Sequence, residues 1–444
     1  FTSINGSILN QGDLKGAVVA LIAPKIINEG SITGSTALAA GTDVTLDFDG
    51  NGLIAIEVNA STLETLVENS GLIKADGGVA VLTARGASNA MKGIVNNSGV
   101  VEAQSLEKRD DRILLLGDMD YGEVKAAGSL NASFVETSAA SVKIDNSLNV
   151  DTDGGTWLID PNDFSIAASG GNITGATLSN NLSNGNVVIT TASQGTPNGN
   201  GDIFVNDTVT WSANVLTLNA DRNIEIASEM FGSGTAGLAL EYAQTDASGD
   251  YFVDAPVNLA STGSFSTKRA VEESIDYTII TELGNEDSVR DDTLQGMVTD
   301  SGYISPPPTN YVLGTNIDAA SAVTWNDGAG FRPILEFYGH FDGLGHTISN
   351  LTIQNVAVLN EFGGLDFPFR NGGGGSAGLF ANFSGPSIRN LALVEVDIMG
   401  GSRVGALAGS MLGVSAINVS ITGRIEGNRY VGGLAGQVTS NGGV

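Results

Sequence analysis

Short segments in which apolar and polar residues alternate recur along the whole chain, and glycine, asparagine, aspartate and serine separate them. In Val44–Phe48 and Val215–Asn219, every second side chain is apolar. A period of two is typical of a strand with one buried face, and the separating residue types favour tight turns. The pattern predicts an all-β chain made of many short strands.

An Asn-x-Gly motif followed by an apolar residue repeats within the first hundred residues. It begins at Asn10, Asn28, Asn69 and Asn97, so that successive repeats lie 18, 41 and 28 residues apart. The 41-residue interval is close to two units. Because asparagine side chains both donate and accept hydrogen bonds, we expect those at equivalent turns to form a ladder.

A second repeat lies near the other end of the sequence. Ala377, Val404 and Val431 each precede a glycine and follow one another at 27-residue intervals. Short strands within a period of this length match the coils of a parallel β-solenoid, in which no coil is stable alone. A β-sandwich with coincidental spacing is the alternative.

One segment has helical rather than strand spacing. A Ser-x-x-Glu capping box begins at Ser61, and Leu63, Leu66 and Val67 follow at the spacing of one helix face. We therefore predict a single short helix inserted at a turn of the solenoid.

A charged segment follows in the second half of the chain. Residues 268–297 are its most charged and most helix-like part, and the three prolines at 306–308 force extended backbone. We expect a charged excursion or junction that leaves the solenoid here.

The composition narrows the classes of function. Of 444 residues 60 are glycine, and 20 basic residues against 49 acidic ones give a formal net charge of −29. Phosphate backbones repel such a chain, which argues against nucleic acid as a partner. The sequence has no cysteine for disulfides or metal binding, and its two histidines are too few for a histidine-rich metal site.

The start of the sequence does not have the pattern of a signal peptide. No apolar stretch approaches the roughly 18–20 residues that span a bilayer. The chain opens within a repeat, without the basic and apolar regions of a signal peptide, so we expect it to be a piece of a longer protein.

The best metal-like motif lies in the first hundred residues. Asp47, Asp49 and Asn51 stand at the first, third and fifth positions of a calcium loop, with glycine at the sixth. Such a loop needs glutamate at its twelfth position, where this chain has Val58. A β-turn between two coils is the favoured interpretation.

The candidate catalytic residues give equally weak evidence for an active site. His340 and His346 flank a Phe-Asp-Gly segment and could form an acid–base site, although turn and strand roles suffice for both. A glycosidase needs two carboxylates facing one groove, and 49 acidic residues make such pairs common on any face.

The glycine run at 372–375 predicts a flexible loop, and sequons such as those at Asn131 and Asn350 arise by chance in this composition. We predict no catalytic, cofactor-binding or metal-binding residue, no cofactor and no enzymatic activity.

Several longer segments nevertheless match a known pattern. Residues 52–103 run from Gly-Leu-Ile-Ala-Ile-Glu-Val to Val-Asn-Asn-Ser-Gly, and residues 157–161 read Trp-Leu-Ile-Asp-Pro. With the Asn-Ile-Glu-Ile segment at 223–226, they resemble filamentous-haemagglutinin-like exoproteins, which are bacterial adhesins exported by two-partner secretion. The Asn-Pro-containing secretion motifs of that family are not found in the first hundred residues.

The second half resembles a different part of such proteins. Segments 294–297, 311–318 and 341–348 look like the lead-in to glycine-rich repeats of the GLUG type. Residues 404–409 and 431–436 match that repeat itself.

The resemblance implies a right-handed parallel β-helix that passes unfolded through an outer-membrane transporter and acts in adhesion. The lack of cysteine is consistent with this route, since a disulfide formed in the periplasm would block threading. The implied organisation is a haemagglutinin-like β-helix at 1–150, its continuation at 151–265, the excursion or junction at 266–335 and a GLUG-type repeat β-helix at 336–444.

We therefore predict a secreted cell-surface adhesin or biofilm-matrix structural protein that forms a rigid rod for attachment. Its expected partners are a cognate outer-membrane transporter, a matrix polysaccharide or a neighbouring cell-surface protein or glycan, and further copies of itself. A polysaccharide-degrading β-helix enzyme and an exoprotein that captures a host ligand are the alternatives.

Overall fold

The structure is a computed structural model. It describes residues 2, 4–48, 54–59, 64–85, 92–103, 111–192, 199–289, 292–297, 310–356, 358–359, 365–366, 368–369 and 375–439.

The described chain is nearly all β, as the alternation predicts. Its helical segments are α1 (Gly175–Leu182), the one-turn α2 (Trp325–Gly328) and 3₁₀ turns at Gln295–Met297 and Ala320–Thr324. By its internal contacts the chain divides into two compact units. Unit 1 comprises Phe1–Glu229, Ala236–Phe252 and Thr267–Ser274, and unit 2 comprises Met230–Thr235, Val253–Ser266 and Ile275–Val444.

The strands are short and follow one another closely. The first group is β1 Ser7–Asn10, β2 Asp13–Ile22, β3 Lys25–Asn28, β4 Ser31–Ala40, β5 Val44–Phe48, β6 Ile54–Val58, β7 Thr65–Asn69, β8 Leu72–Lys74, β9 Val79–Ala84, β10 Gly93–Asn97, β11 Val100–Glu102, β12 Arg112–Gly117, β13 Glu123–Ala126, β14 Ser129–Asn131, β15 Phe134–Ser138, β16 Ser141–Ile144 and β17 Asn149–Asp151. The second group is β18 Thr156–Asp160, β19 Phe164–Ile166, β20 Asn186–Thr190, β21 Ile203–Val205, β22 Val209–Trp211, β23 Val215–Asn219, β24 Ile224–Ile226, β25 Met230–Gly232, β26 Gly237–Tyr242, β27 Tyr251–Val253, β28 Val257–Leu259, β29 Ser264–Arg269 and β30 Ile275–Ile280. The third group is β31 Asn310–Leu313, β32 Ile317–Asp318, β33 Ile334–Phe337, β34 Phe341–Asp342, β35 Thr347–Ser349, β36 Thr352–Asn355, β37 Val358–Leu359, β38 Leu365–Asp366, β39 Ser376–Ala377, β40 Phe380–Phe383, β41 Ser387–Gly400, β42 Arg403–Val404, β43 Ala408–Leu412, β44 Ser415–Gly427, β45 Tyr430–Val431 and β46 Ala435–Thr439.

In unit 1 the strands pair in parallel with strands from later in the chain. One sheet contains β1, β3, β7, β10, β13 and β16, in that order. Its inward side chains stack on their direct partners: Val67, Val95, Val124 and Val142 occupy one row, and each is fully buried. Burying a valine contributes roughly 1.5–3 kcal/mol, so the row stabilises the stack strand by strand.

The predicted asparagine ladder is confirmed. Asn10 Nδ2 donates to Asn28 Oδ1 at 2.8 Å, Asn28 Nδ2 to Asn69 Oδ1 at 2.7 Å, and Asn69 Nδ2 to Asn97 Oδ1 at 2.8 Å. Asn97 Nδ2 ends the ladder on the Ala127 carbonyl at 3.0 Å. All four asparagines are buried, and the ladder satisfies amide groups that water cannot reach.

The expectation that the 41-residue interval holds two units is wrong. Asn28 pairs directly with Asn69, so the interval is one step between adjacent strands. The extra length includes an antiparallel hairpin of β5 and β6. Val44 and Val58 of the hairpin pack with Ala39 of β4 in a small buried cluster, which gives the insertion its own apolar contact.

The helix expected around Ser61 is also wrong where the structure describes it. Leu66 and Val67 lie in strand β7 and pair with Lys25 and Ile26 of β3, while residues 61–63 lie outside the described residues. Complete burial of Val67 against the neighbouring strands outweighs the local helical spacing.

The eight-residue helix of the described chain lies elsewhere, at α1. Thr174 caps it, because its Oγ1 accepts a hydrogen bond from the Thr177 backbone N–H at 3.2 Å. The buried face of the helix includes Leu178 and Leu182, which are both inaccessible to solvent. A threonine cap before only one apolar pair was too weak a pattern to predict it.

A second ladder fixes the turns before β19, β21, β24 and β27. Asp163 Oδ1 accepts from the Asp202 backbone N–H at 2.9 Å, Asp202 Oδ1 from that of Asn223 at 3.0 Å, and Asn223 Oδ1 from that of Asp250 at 3.1 Å. The Arg222 guanidinium also pairs with the buried Asp202 carboxylate. Here the ladder joins side chains to backbone, so each step needs only one suitable side chain.

Unit 2 also contains parallel pairs, and its core is richer in aromatic residues. Phe337, Phe341, Phe380 and Phe383 are buried in mutual contact, with ring centroids 4.9 Å apart for the last two. Phe337 and Phe383 are direct partners on β33 and β40. Phenylalanine therefore fills here the space that valine and isoleucine fill in unit 1.

The 27-residue equivalence in unit 2 is confirmed. Ala377 pairs with Val404, which in turn pairs with Val431. The glycines that follow lie at tight turns: a Cβ on Gly405 would lie 2.4 Å from Ala435 Cα, and one on Gly432 would lie 2.2 Å from the Ala435 carbonyl oxygen.

The helix-like expectation for residues 268–297 is wrong over much of its length. β29 reaches into this segment and β30 lies within it, where Ile279 and Ile280 are buried. The run of β-branched residues in Asp-Tyr-Thr-Ile-Ile favours a strand over a helix despite the flanking charges. Residues 290–291 and 306–308 lie outside the described residues, and the four predicted domain segments stay a prediction.

Candidate functional site

The most developed chemistry of the described chain lies on one sheet face of unit 1. Strands β15, β18, β20, β23 and β26 pair in parallel and in register. Trp157 and Ile159 of β18 point inward and are buried, while Leu158 and Asp160 point outward and are half-buried. The alternation holds on the other strands, because successive side chains of a strand face opposite ways. We call the outward residues of these five strands the outer face.

Polar side chains form a row along one edge of the outer face. Ser138 is the direct partner of Asp160, and Thr190 is the partner of Asn219, which in turn pairs with Glu241. The β18–β20 register continues to place Thr190 beside Asp160. Adjacent strands lie about 4.8 Å apart, so the row offers one polar group at each such interval across five strands.

Two carboxylates meet at one end of this row. Ser138 Oγ donates to Glu136 Oε1 at 2.8 Å, which holds Glu136 near the neighbouring strand that carries Asp160. The Oδ1 atom of Asp160 is buried and has no hydrogen-bond partner among the described residues. Burial, and next the charge of Glu136, raise the pKa of Asp160 to about 6. Asp160 therefore carries a charge at neutral pH that its surroundings do not stabilise.

Between described residues, no salt bridge compensates the carboxylates at this end of the face. The salt bridges between described residues involve neither Glu136 nor Asp160 nor Glu241. At the other end, Asn219 Nδ2 donates to Glu241 Oε2 at 2.9 Å. The row thus ends at the Glu241 carboxylate, which accepts a hydrogen bond from an amide. It begins at the Glu136 and Asp160 carboxylates, which form no salt bridge with a described residue.

Beside the polar row lies a mostly apolar one, which begins at Glu136 on β15. Leu158 and Val188 are direct partners on adjacent strands, and both are half-buried on the outer face. Thr217 and Ala239 continue their row on β23 and β26. Together the two rows form a surface of small aliphatic groups edged by hydroxyl, amide and carboxylate groups.

The calcium-like motif falls in the hairpin. Asp47 lies in β5, and Glu57 and Val58 lie in the antiparallel partner strand β6. Asp49 and Asn51 lie outside the described residues. Because the strands on the two sides of the motif are antiparallel partners, the motif connects the two strands of a hairpin. This corrects the expectation of a turn between two coils.

The two histidines of the Phe-Asp-Gly segment hold different partners. His340 Nδ1 lies 2.8 Å from Ser387 Oγ. His346 is buried, with Nε2 lying 2.9 Å from the Val257 carbonyl oxygen and Nδ1 lying 3.3 Å from Asn316 Oδ1. Each histidine is thus fixed in a separate structural contact within unit 2, and the structure does not bring them together as an acid–base pair.

The remaining candidates have structural roles or are not described. Asn350 Nδ2 donates to Asp318 Oδ1 at 2.8 Å, and Asn131 ends strand β14. Of the glycine run, Gly375 alone is described, with a positive φ of 90°. Among the described residues, no group of three or more His, Cys, Asp or Glu side chains is arranged to hold a metal ion. None of the described helices is long and apolar enough to cross a membrane.

The outer face was not predicted from the sequence. Acidic pairs were expected to be common, but neither Glu136 nor Asp160 stood out among 49 acidic residues. The available signal was the position of Asp160 in the Trp-Leu-Ile-Asp strand, where the alternation turns it outward. Its neighbours on other strands follow only from the register.

Comparisons with known proteins give one partial similarity. Halomucin from Haloquadratum walsbyi is 34% identical to this chain over 144 residues, which cover 30% of this chain and 1% of halomucin. No family model matches the chain, and no solved structure matches it significantly. A similarity of this extent does not place the chain in a family.

Proposed function

We propose that the chain is part of a surface-associated extracellular protein that acts as an adhesin or as a structural protein of a biofilm matrix. The partial similarity to halomucin supports a surface-associated role. The resemblance of residues 52–103 to haemagglutinin-like exoproteins and of residues 404–409 and 431–436 to GLUG-type repeats supports adhesion.

The parallel, in-register stacking of strands is the observation that carries the proposal. We interpret the pairs from β1 to β16, and those joining β39, β42 and β45, as successive coils of a right-handed parallel β-helix. Ladders of buried side chains, such as that of Asn69, hold coil to coil and make a stiff support. A stiff support with a polar outer face suits a protein that holds other molecules in place.

Binding measured under flow tests this function. Beads coated with the full chain are passed over surfaces of neutral polysaccharide, acidic polysaccharide and intact cells. We expect the native chain to be retained on at least one of them, and the same chain after irreversible heat denaturation to be released. Equal retention of native and denatured chains, or none on any surface, would contradict adhesion.

For export we propose two-partner secretion through a cognate outer-membrane transporter. The absence of cysteine supports it, because a chain without disulfides can be threaded unfolded. Deleting the transporter gene in the producing organism should abolish release of the protein. Unchanged release would rule out this route while leaving the adhesive role intact.

A polysaccharide-degrading enzyme is the second candidate, and Glu136 with Asp160 is the observation that favours it. A carboxyl group with a raised pKa beside a second carboxylate is the arrangement that glycosidases use. Chromatography of polysaccharides incubated with the chain distinguishes the two functions. We expect unchanged polymer length for an adhesin, whereas new reducing ends that vanish in Glu136→Gln would establish the enzyme.

A further inference from the structure

The charge pattern of the outer face indicates which class of ligand this surface binds. Glu136 and Asp160 lie on adjacent strands, and neither forms a salt bridge with a described residue. The Asp160 Oδ1 atom is buried and has no hydrogen-bond donor among the residues that the structure describes. A ligand with a positive charge and N–H donors at this point would compensate the carboxylate charges and would also donate a hydrogen bond to Asp160 Oδ1.

The rest of the face indicates what carries that positive charge. Thr190, Asn219 and Glu241 continue the polar row at one-strand intervals, and they suit a linear ligand with a hydroxyl group on each unit. The half-buried Leu158 and Val188 offer apolar contact for the carbon face of a sugar ring. Ligand sites generally combine apolar contact with a few placed polar groups.

A basic peptide fits the face less well. An extended peptide gains affinity mainly by pairing its backbone with an exposed sheet edge. Strands β18, β20 and β23 are each paired on both sides, so the face offers side chains and no free backbone.

We propose that the outer face of β15, β18, β20, β23 and β26 binds a polymer of amino sugars. An ammonium group of the polymer lies between Glu136 and Asp160, its hydroxyl groups contact the row from Thr190 to Glu241, and its rings cover Leu158 and Val188. This inference deepens the proposed adhesive function, because it names the class of polysaccharide and the surface that holds it.

Titration calorimetry with the full chain at pH 6.5 tests the proposal. The ligands are a glucosamine oligomer, its N-acetylated counterpart, a cello-oligosaccharide and an oligolysine of equal length. Because Asp160 is mostly ionised above its pKa of about 6, the carboxylate pair is present at this pH. We expect the glucosamine oligomer to bind at least tenfold more tightly than each of the other three ligands.

Variants assign the binding to this face. Asp160→Asn and Glu136→Gln should each weaken binding of the glucosamine oligomer by tenfold or more. Glu225→Gln is the matched control, since Glu225 is a half-buried outward carboxylate on β24 of a different sheet, and it should bind as the unaltered chain does. Thermal unfolding of each variant shows whether the fold is retained.

Each other result would overturn the proposal. Oligolysine that binds as tightly as glucosamine would identify a basic peptide as the ligand, and equal binding of the N-acetylated oligomer would remove the role of the charge. Glucosamine binding that survives both variants would place the site elsewhere and leave the adhesive function standing. If no oligomer binds while the coated beads are still retained, this inference alone fails; if retention is also lost, the proposed function fails with it.

Discussion

Two regions of the molecule repeat with different spacing, although side-chain bonds and close glycine contacts join neighbouring strands in both. Between Asn10 and Asn97, buried side chains bond to one another across steps of 18, 41 and 28 residues. Between Ala377 and Val431, the steps between paired residues are regular. Glycines bring backbone against backbone in both regions: a Cβ on Gly71 would lie 2.1 Å from the Gly30 carbonyl oxygen, and one on Gly405 would lie 2.4 Å from Ala435 Cα. The steps of the first region vary widely in length, whereas those of the second are 27 or 28 residues.

The difference shows where the chain tolerates an insertion. A ladder of side chains fixes only the turn at which it lies, so the chain between two rungs can carry the hairpin of β5 and β6 without disturbing the ladder. The close backbone contact between Gly30 and Gly71 is kept across the same insertion, so a glycine contact likewise fixes only the point at which it lies. Asp342 and Asn390 of unit 2 obey the same rule, because a side-chain bond of 3.0 Å joins them across 48 residues.

Removing one asparagine side chain from the ladder should lower the free energy of unfolding most. Asn69→Ala leaves the Asn28 amide N–H group and the Asn97 side-chain oxygen buried without partners. Each such group costs about 1–3 kcal/mol, so we expect a loss of roughly 2–6 kcal/mol in the free energy of unfolding. Gln11→Ala is the control, since Gln11 makes an exposed bond to Glu29 and its loss should change little. Equal denaturation midpoints for the two variants would show that the ladder is not a main support.

The glycine turns should be next in sensitivity. Gly432→Val places a Cβ 2.2 Å from the Ala435 carbonyl oxygen, whereas a Cβ on the adjacent Gly433 has no neighbour within 4 Å. We expect Gly432→Val to destabilise the protein by on the order of 1–3 kcal/mol and Gly433→Val to have a much smaller effect. Chemical denaturation of the pair measures the difference. If both variants unfold alike, the close approach is not what fixes this turn.

The contribution of Asp160 to the free energy of unfolding should depend on pH, unlike that of the close glycine contacts. The pKa of Asp160 is raised to about 6 by burial and by Glu136. Between its unfolded pKa of about 4 and this value, the folded protein holds a proton that the unfolded chain has released, so Asp160 makes stability fall as the pH rises.

Asp160→Asn should remove that part of the pH dependence. At pH 7 we expect the variant to be more stable than the unaltered chain by about 1–2 kcal/mol, after allowance for partial screening by solvent, and to have equal stability near pH 4. Thermal denaturation from pH 4 to 7 measures the difference. The cost of Gly432→Val should be the same at every pH, and a constant difference for Asp160→Asn would contradict the burial of its charge.

Insertions should give the smallest effect where the turn is open. Gly77 lies at a turn with a positive φ of 70°, and a Cβ there meets nothing within 4 Å. Two residues inserted after Gly77 should cost less than about 1 kcal/mol, since loop length enters the closure entropy only logarithmically. The same insertion after Gly432 should cost more, because the Gly432 backbone N–H donates to the Val404 carbonyl at 3.0 Å. Denaturation midpoints of the two insertions compare the regions directly.

Several features followed from the sequence alone. The alternation of apolar and polar residues determined the strands, and the Asn-x-Gly spacing determined the ladder, since equivalent turns recur with equivalent residues. The 27-residue spacing of Ala377, Val404 and Val431 likewise determined their pairing. Each is a local pattern repeated along the chain, so no knowledge of distant contacts was needed.

The tertiary structure decided the rest. Leu66 and Val67 have helical spacing but form a strand, because a neighbouring strand buries Val67 completely. The meeting of Glu136 with Asp160 depends on the register that pairs Ser138 with Asp160, and a shift of one residue would turn these side chains to the opposite face. Local sequence sets which residues alternate, but only packing against the neighbouring strands sets the register, and the register creates the outer face.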